Sequence, residues 1–370
     1  MPSDFAIIGA GMAGASLACE LSAHGTVLLL EAEEFPGYHT TGRSAALFNE
    51  TYGNAVIRGL TTGSRGFFTA PPPGFAESAL LTPRGCLFIA RADQQASLEA
   101  HCRETPQTRP IGVAEALARV PVLRPDAVAA AGYDGAAMDI DVHALHQGFL
   151  RAAKSRGAQL VTGARIAAIE RLAGAWRLAT ASGSFEAAVL VNAAGAWADE
   201  IGQLAGAEAI GLVPLRRTAM LIDPPPGRDC SRWPMVIDAD EEFYFKPDAG
   251  RLLVSPADET PSPPCDAQPE EFDIALAIDR LQRAADIPVR RISSTWAGLR
   301  SFVADRSPVV GYDPSVEGLF WLAGQGGYGI QTAPALAQLA ASLCRGVGIP
   351  AELADRGVTE AALSPGRLRA

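Results

Sequence analysis

Phe5-Ala6-Ile7-Ile8-Gly9-Ala10-Gly11-Met12-Ala13-Gly14 is the stretch whose reading decides the fold. The four apolar residues predict a short buried strand, and three glycines at GxGxxG spacing follow it directly. Leu17 and Leu21 then lie four apart on one face of a helical pattern that runs to about His24, where Gly25 ends it. Val27 to Leu30 reads as a second buried strand with Glu31 at its end. Strand, glycine turn, helix, strand and acid make a βαβ dinucleotide-binding unit. Gly9 permits the tight turn, Gly11 lets backbone approach a pyrophosphate, and Gly14 lets the helix pack on the strand. The free N–H groups from Met12 and Ala13 onward attract the phosphates. Glu31 is placed to accept from the adenosine ribose hydroxyls and to repel a 2′-phosphate.

The rest of the composition agrees with an enzyme-sized α/β globule. In 370 residues, 48% are hydrophobic and only 19% charged, which excludes a disordered chain. A net charge of -10 and a pI near 5.1 give no general attraction to nucleic acid or anionic lipid. No apolar run approaches the roughly 20 residues of a membrane span. The N-terminus shows no basic region or cleavage site, and the six cysteines are scattered without a CxxC pair. Dispersed thiols suit a reducing compartment. The expected location is therefore cytoplasmic, with the inner membrane face as the alternative address. Lys154 and Lys246 are the only lysines; arginine carries nearly all the positive charge.

Three later segments argue for FAD rather than NAD. After the second strand the chain enters Gly37-Tyr38-His39-Thr40-Thr41-Gly42-Arg43-Ser44-Ala45-Ala46, a hydroxyl-rich loop instead of another strand–helix unit. Such a loop can lay donors along a second phosphate and the adjoining flavin. Ala187 to Val191 predicts a strand that runs into Asn192-Ala193-Ala194-Gly195-Ala196-Trp197. Leu319 to Ala323 predicts another, running into Gly324-Gln325-Gly326-Gly327-Tyr328-Gly329-Ile330-Gln331 and then a helix from Thr332 to about Cys344. A strand, a glycine turn and a helix start suit the polar edge of an isoalloxazine ring. Close-approach strand ends spread over the whole chain imply one extended cofactor.

Together the motifs GAGMAG, GYHTTGRSAA, NAAGAW, TWAGLRSF and GQGGYGIQT resemble the D-amino-acid-oxidase family of FAD-dependent oxidoreductases, from Phe5 to the C-terminal helix. Within it the chain resembles the bacterial D-arginine dehydrogenases, through ALHQG, VLVNAAGAW, FYxKPDAG, TWAGLRSFVAD and QGGYGIQT. The resemblance implies a mixed α/β fold: a Rossmann-like FAD-binding domain (1–50, 140–200, 295–370) interleaved with a mixed-sheet substrate-binding domain (51–139, 201–294). It implies FAD held by Gly9, Gly11, Met12, Ala13, Gly14, Glu31, Ala32, Thr41, Gly42, Arg43, Ser44, Ala45, Ile166, Ala194, Gly195, Gly298, Gly326, Gly327, Tyr328, Gly329 and Ile330. Non-covalent attachment is expected because the flavin-edge stretch from Ser301 to Gln331 holds no cysteine.

Oxidising an amino acid requires a carboxylate anchor, a neutral amine and a Cα–H aimed at flavin N5. By resemblance Arg217 and Arg300 bind the substrate carboxylate and Tyr52 covers the substrate. Strand alternation puts Tyr244 and Lys246 on one face, where the phenol is placed to hydrogen-bond the carboxylate or the amine. Gly327 offers a carbonyl to the amine, and Gln331 and Tyr328 lie beside the site. The neighbouring Arg216 is expected to be a solvated strand residue. Hydride transfer from Cα–H to N5 then gives an imine, and water releases the 2-oxo acid and ammonia. No metal is expected: His143 and His146 share a helix face, but no third ligand of matching spacing accompanies them.

Two departures bear on the substrate. Cys86 aligns with the glutamate that reads guanidinium in the D-arginine enzymes, and Leu47 with a histidine near the flavin. Neutral D-side chains are therefore the expectation, with Glu50 as the one nearby carboxylate. Sarcosine-type oxidases of the family carry a lysine over the flavin, and neither lysine here aligns with it. That predicts a dehydrogenase whose electron acceptor, a quinone or another molecule, is not efficiently oxygen. The alternatives are a glycine or sarcosine-type amine oxidase, a 2-hydroxy-acid dehydrogenase, a flavin subunit dependent on a partner chain, and an NAD-binding module.

Overall fold

The computed structural model describes residues 2–369. Its parallel core grows from the N-terminal unit. Ser3–Ile8 lies between Val27–Leu30 and the far half of Gly183–Asn192, parallel to both, with Gln159–Val161 beyond the former and Leu319–Ala323 beyond the latter. Val309–Tyr312 adds antiparallel to Leu319–Ala323, and Ala175–Thr180 and Ile166–Leu172 extend the near half of Gly183–Asn192 to complete eight strands. Val27–Leu30 and Leu319–Ala323 are buried along their whole length, as expected of a sheet covered on both faces. The helix Met12–Leu21 packs against Val142–Ser155 and Ala333–Cys344, with Leu17 and Leu21 in the core.

Register places the cofactor end. Ile8 pairs with Leu30 and with Asn192, and Asn192 with Trp321. The glycine turns after these strands therefore leave the same edge of the sheet side by side, the edge where open α/β sheets bind ligands.

A second sheet has nine strands in the order Thr260–Pro261, Val213–Ile222, Arg251–Ser255, Tyr244–Asp248, Met235–Asp238, Cys86–Ala90, Ala130–Asp134, Arg109–Ile111, with Ile292–Phe302 along the free side of Val213–Ile222. The helix Glu271–Ala284 covers part of one face. A three-stranded sheet of Leu47–Phe48, Met138–Ile140 and Leu81–Pro83 lies where the chain passes between the two halves. One boundary differs from expectation. The strand Ile292–Phe302, whose residues from 295 were expected in the nucleotide half, hydrogen-bonds along Val213–Ile222. Sequence motifs mark which residues approach a cofactor, but only pairing decides which sheet carries them. No helix among the described residues is long and apolar enough to cross a membrane.

Candidate active site

A cavity of about 260 Å³ runs between the two large sheets. One end is lined by Gly11, Met12, Ala13 and Ser16, and the middle by Thr40, Thr41 and Arg43 to Leu47. The strand exits Ala193, Gly195 and Gly324 to Ile330 line it as well, except for Tyr328. Gly9 and Gly14 shape this end without lining it. Gly9 has φ +98°, and a Cβ there would stand 2.5 Å from the Ala193 carbonyl oxygen; a Cβ on Gly14 would overlap the Gly9 carbonyl. The Gly11 N-cap carries no side-chain cap, and the first turn that follows holds no acid. Its amides therefore remain available to an anion, apart from Met12 N–H, which donates to Thr41 Oγ1 at 2.9 Å.

Glu31 is buried at the end of its strand. Its Oε2 accepts from Ala10 N–H at 2.8 Å and its Oε1 from Glu33 N–H at 3.0 Å, which fixes the carboxylate. His146 Nε2 donates to the Ala10 carbonyl at 2.8 Å, so the glycine loop is held from both sides. Sequence reading gave His146 no such task, because its partner, the Ala10 carbonyl, is distant in sequence.

Several residues expected at the cofactor do other work. Arg43 borders the cavity, but its guanidinium donates to the Ala267 and Ala297 carbonyls at 3.0 and 2.9 Å and pairs with Asp266. It ties the loop to the substrate half. Gly42 forms the turn itself, its N–H bonded to Gly37 and His39 carbonyls. Ala32, Ala194 and Ile166 do not line the cavity. Ile166 starts the outermost strand of its sheet and Ala194 folds back on Asn192, which accepts from its N–H at 3.3 Å. Ser44, Ala45 and Gly298 do line it.

The substrate end follows from one register. Arg217 pairs with Gly298 and Leu215 with Arg300, so Arg217 and Arg300 share a sheet face on the diagonal. Arg216 points to the opposite face. There it pairs with Glu270 and, at 2.9 Å, with Asp273, its side chain only 12% exposed. The expectation of a solvated Arg216 is thereby corrected: the covering helix supplies acids that make it a structural cation.

Arg300 is 8% exposed, and its Nη2 donates to Tyr52 Oη at 2.9 Å. Burial works against its charge, but the Tyr52, Tyr328 and Tyr244 oxygens outweigh this and hold it firmly protonated. Arg217 Nε donates to the Asp258 carbonyl at 2.8 Å. Tyr52 and Tyr244 both line the cavity, Tyr244 in the same row as Ile237 and Phe88. Gly327 lies against Arg300 so closely that a Cβ would overlap the guanidinium.

Tyr328 and Gln331 are brought near but serve packing. Tyr328 lies behind the wall, edge-on to Tyr52 at 4.9 Å, and burial pushes its phenol up to about 12. Gln331 borders the cavity, yet its Oε1 accepts from Asn49 N–H at 3.2 Å and its Nε2 donates to Thr61 Oγ1 at 3.0 Å. It anchors the segment that carries Tyr52.

The remaining wall includes Leu47, Phe88, Met235, Ile237 and Ala219, with Asn49, Thr51, His101 and an exposed Glu241 among its polar members. Cys86 is fully buried on the same sheet face but behind that wall, its thiol pushed well up by burial. Glu50 is neutralised by an ion pair with Arg65. Lys246 is buried and donates to Asp139 Oδ1 at 2.8 Å, and Lys154 is exposed on its helix.

The site fits FAD. A backbone-lined channel leads from an uncapped helix start to a glycine turn, and its wall holds two buried polar atoms without a partner, Ser301 Oγ and Gln325 Nε2. Comparison with known proteins points the same way. FAD-dependent oxidoreductase domain-containing protein 1 of Xenopus laevis is 29% identical over 187 residues, covering 44% of this chain; the alignment spans 36% of that relative's length. Glycine oxidase of Geobacillus kaustophilus is 25% identical over 362 residues, 92% of each protein. The crystal structure of glycine oxidase from Geobacillus kaustophilus superposes with a TM-score of 0.82 at 23% identity over 93% of this chain and 95% of that one. L-α-glycerophosphate oxidase of Mycoplasma pneumoniae, with FAD bound, superposes at 0.84 and 18% identity over the same shares. The model of the DAO family, FAD dependent oxidoreductase, matches residues 4–343, and the chain belongs to that family.

Proposed function

We propose that the chain catalyses oxidative deamination of D-amino acids to 2-oxo acids and ammonia, as a dehydrogenase favouring neutral side chains. The observation that carries this is the convergence of Arg217, Arg300, Tyr52 and Tyr244 on one cavity beside the Gly326–Gly327 turn. Two guanidiniums at one end of an otherwise mostly apolar space select a ligand with a carboxylate. Tyr52, bonded to Arg300, covers that anion, and the Gly327 carbonyl is the acceptor proposed for the amine. Bound FAD supplies the two-electron acceptor, held by the helix start at Gly11–Ala13, by Glu31 and by the turns at Gly195 and Gly326–Ile330. The amine enters neutral, so its lone pair drives loss of the Cα hydrogen, and water then hydrolyses the imine.

The side-chain preference is supported by Leu47, Phe88, Met235 and Ile237 in the wall and by the pairing of Glu50 with Arg65. Oxygen reduction by flavin is helped by a fixed positive charge at the ring. Lys246 is committed to Asp139, which supports dehydrogenase behaviour. None of the cavity's lining residues is cysteine, in keeping with non-covalent FAD. The likeness to glycine oxidase over 92% of the chain favours a second reading, oxidation of glycine or sarcosine.

Anaerobic flavin bleaching against D- and L-amino acids, sarcosine, glycine and 2-hydroxy acids tests the reading. D-methionine and D-phenylalanine should bleach the flavin faster than D-arginine, and turnover in air should be slow unless phenazine methosulfate is added. Bleaching by sarcosine or glycine alone establishes the second reading. Rapid peroxide formation in air overturns the dehydrogenase assignment. Acid precipitation should leave all flavin in the supernatant.

A further inference from the structure

We infer that Glu259 is a positioning residue for the carboxylate site: it sets the two anchor arginines in place. The inference rests on the reading of Arg217 and Arg300 as anchors. Glu259 Oε1 accepts from Arg217 Nη2 at 3.2 Å, from Arg300 Nη1 at 3.2 Å and from Arg306 Nη2 at 2.9 Å, and its Oε2 accepts from Arg306 Nη1 at 3.1 Å. One carboxylate thus holds three guanidiniums, two of which line the cavity while Glu259 itself does not.

The arrangement is directional. Arg306 grips both oxygens, the two-pronged geometry that fixes a carboxylate plane. Arg306 is itself pinned, its guanidinium 3.7 Å over the Phe302 ring and its backbone in the left-handed region at φ +56°. With the plane fixed, Oε1 is left as the common acceptor that brings Arg217 and Arg300 to one point. Two like charges on the sheet diagonal would otherwise separate. The remaining contacts complete the frame: the Asp258 carbonyl on Arg217 Nε and the Tyr52 hydroxyl on Arg300 Nη2. Neither of those reaches both arginines.

Removing Glu259 has two opposed consequences for a bound anion. The site gains net positive charge, which favours binding, and loses the shared acceptor, which disorders the fork. The Glu259 side chain is 33% exposed, so its charge is screened by water. Its hydrogen bonds are not screened in the same way, and orientation prevails. Burial raises the Glu259 pKa, and Arg306, Arg300 and Arg217 more than reverse this, which keeps the carboxylate ionised at neutral pH.

The test measures binding of 4-methylpentanoate, the amine-free analogue of leucine, to the holoenzyme by calorimetry, together with kcat/KM for a D-amino acid and for its amide. Glu259→Ala should weaken the carboxylate roughly tenfold or more. It should lower kcat/KM for the acid by a similar factor and leave the amide nearly unchanged. Glu259→Asp should recover part of the loss. Arg306→Met should produce a smaller loss that does not add to that of Glu259→Ala, since both act through one carboxylate. Carboxylate binding as tight as wild type, or tighter, in Glu259→Ala overturns the inference. So does an equal fall for acid and amide. If Arg300→Met and Arg217→Met also leave binding unchanged, the anchor reading has failed instead.

Discussion

The two ends of the cavity are built from different materials. At the nucleotide end the working groups are backbone: amides at the start of Met12–Leu21, close approaches at Gly9 and Gly14, and strand exits aligned by register. At the substrate end they are long charged side chains, and each is set by residues far away in sequence. Arg300 depends on Tyr52 and Glu259, and Arg217 on Asp258 and Glu259. A backbone site tolerates no added atom but needs few specific side chains. A side-chain site tolerates changes of shape and fails when one partner of a network is removed.

The largest effect expected from this contrast is at Gly14. A Cβ there meets the Gly9 carbonyl, which is backbone and cannot swing aside. Gly14→Ala should reduce FAD in the purified protein from about one per chain to less than roughly a tenth, because helix and glycine turn can no longer close on each other. Flavin absorbance against protein content measures this. Full FAD occupancy in Gly14→Ala would show that the turn yields, and the contrast between the two ends would lose its basis.

The same contrast explains what was legible from sequence. The glycine turns could be read because a backbone site leaves its requirement in the local residue types. The strand 319–323 with its glycine exit and Glu31 at a strand end appear where local pattern puts them. Arg217 and Arg300 were named only through resemblance, and nothing local separates Arg217 from Arg216. Register separates them: Arg217 faces the cavity across from Gly298, while Arg216 meets Glu270 and Asp273 of the covering helix. Glu259, Arg306 and His146 were not singled out for these roles because their signal is a distant partner. Arg43 was expected at the cofactor from its loop, and its pairing with Asp266, more than two hundred residues away, was invisible there.

Adjacent arginines offer the next test. Arg300→Met and Arg217→Met each remove a charge-assisted pair at the cavity, and loss of roughly 2–5 kcal/mol of carboxylate binding is expected, a rise in KM of about thirtyfold or more. Arg216→Met should leave KM within about twofold, since its charge faces the other side of the sheet, but it leaves Asp273 and the nearby buried Asp258 short of a cation. Its effect should appear as a lower Tm. Steady-state kinetics and a thermal melt on the three variants are sufficient. A KM change in Arg216→Met as large as in Arg217→Met would mean that face alternation does not govern this site.

The smallest expected effect concerns acid and returns to the nucleotide end. His146 is 4% exposed and holds the Ala10 carbonyl of the glycine loop. Burial lowers its pKa below the usual value, more than the bond to Ala10 raises it. Its folded pKa therefore lies under the unfolded value of about 6.5. In the window between the two the unfolded chain binds the extra proton, so stability rises with pH there. The contribution is complete above about pH 6.5 and is lost as pH falls through the folded value. His101, lowered mainly by burial, acts in the same direction. Asp134 and Asp258, whose carboxyls burial raises, act in the opposite one, so the net change in the wild type mixes signs. His146→Gln separates them, because an amide can donate to the Ala10 carbonyl without titrating. Between pH 7.5 and 5.5 the wild type should lose more stability than His146→Gln does. Paired melts at the two pH values give the difference directly. Equal losses in both proteins would remove His146 from the account of acid sensitivity, and with it the idea that this backbone-built end depends on one titratable side chain.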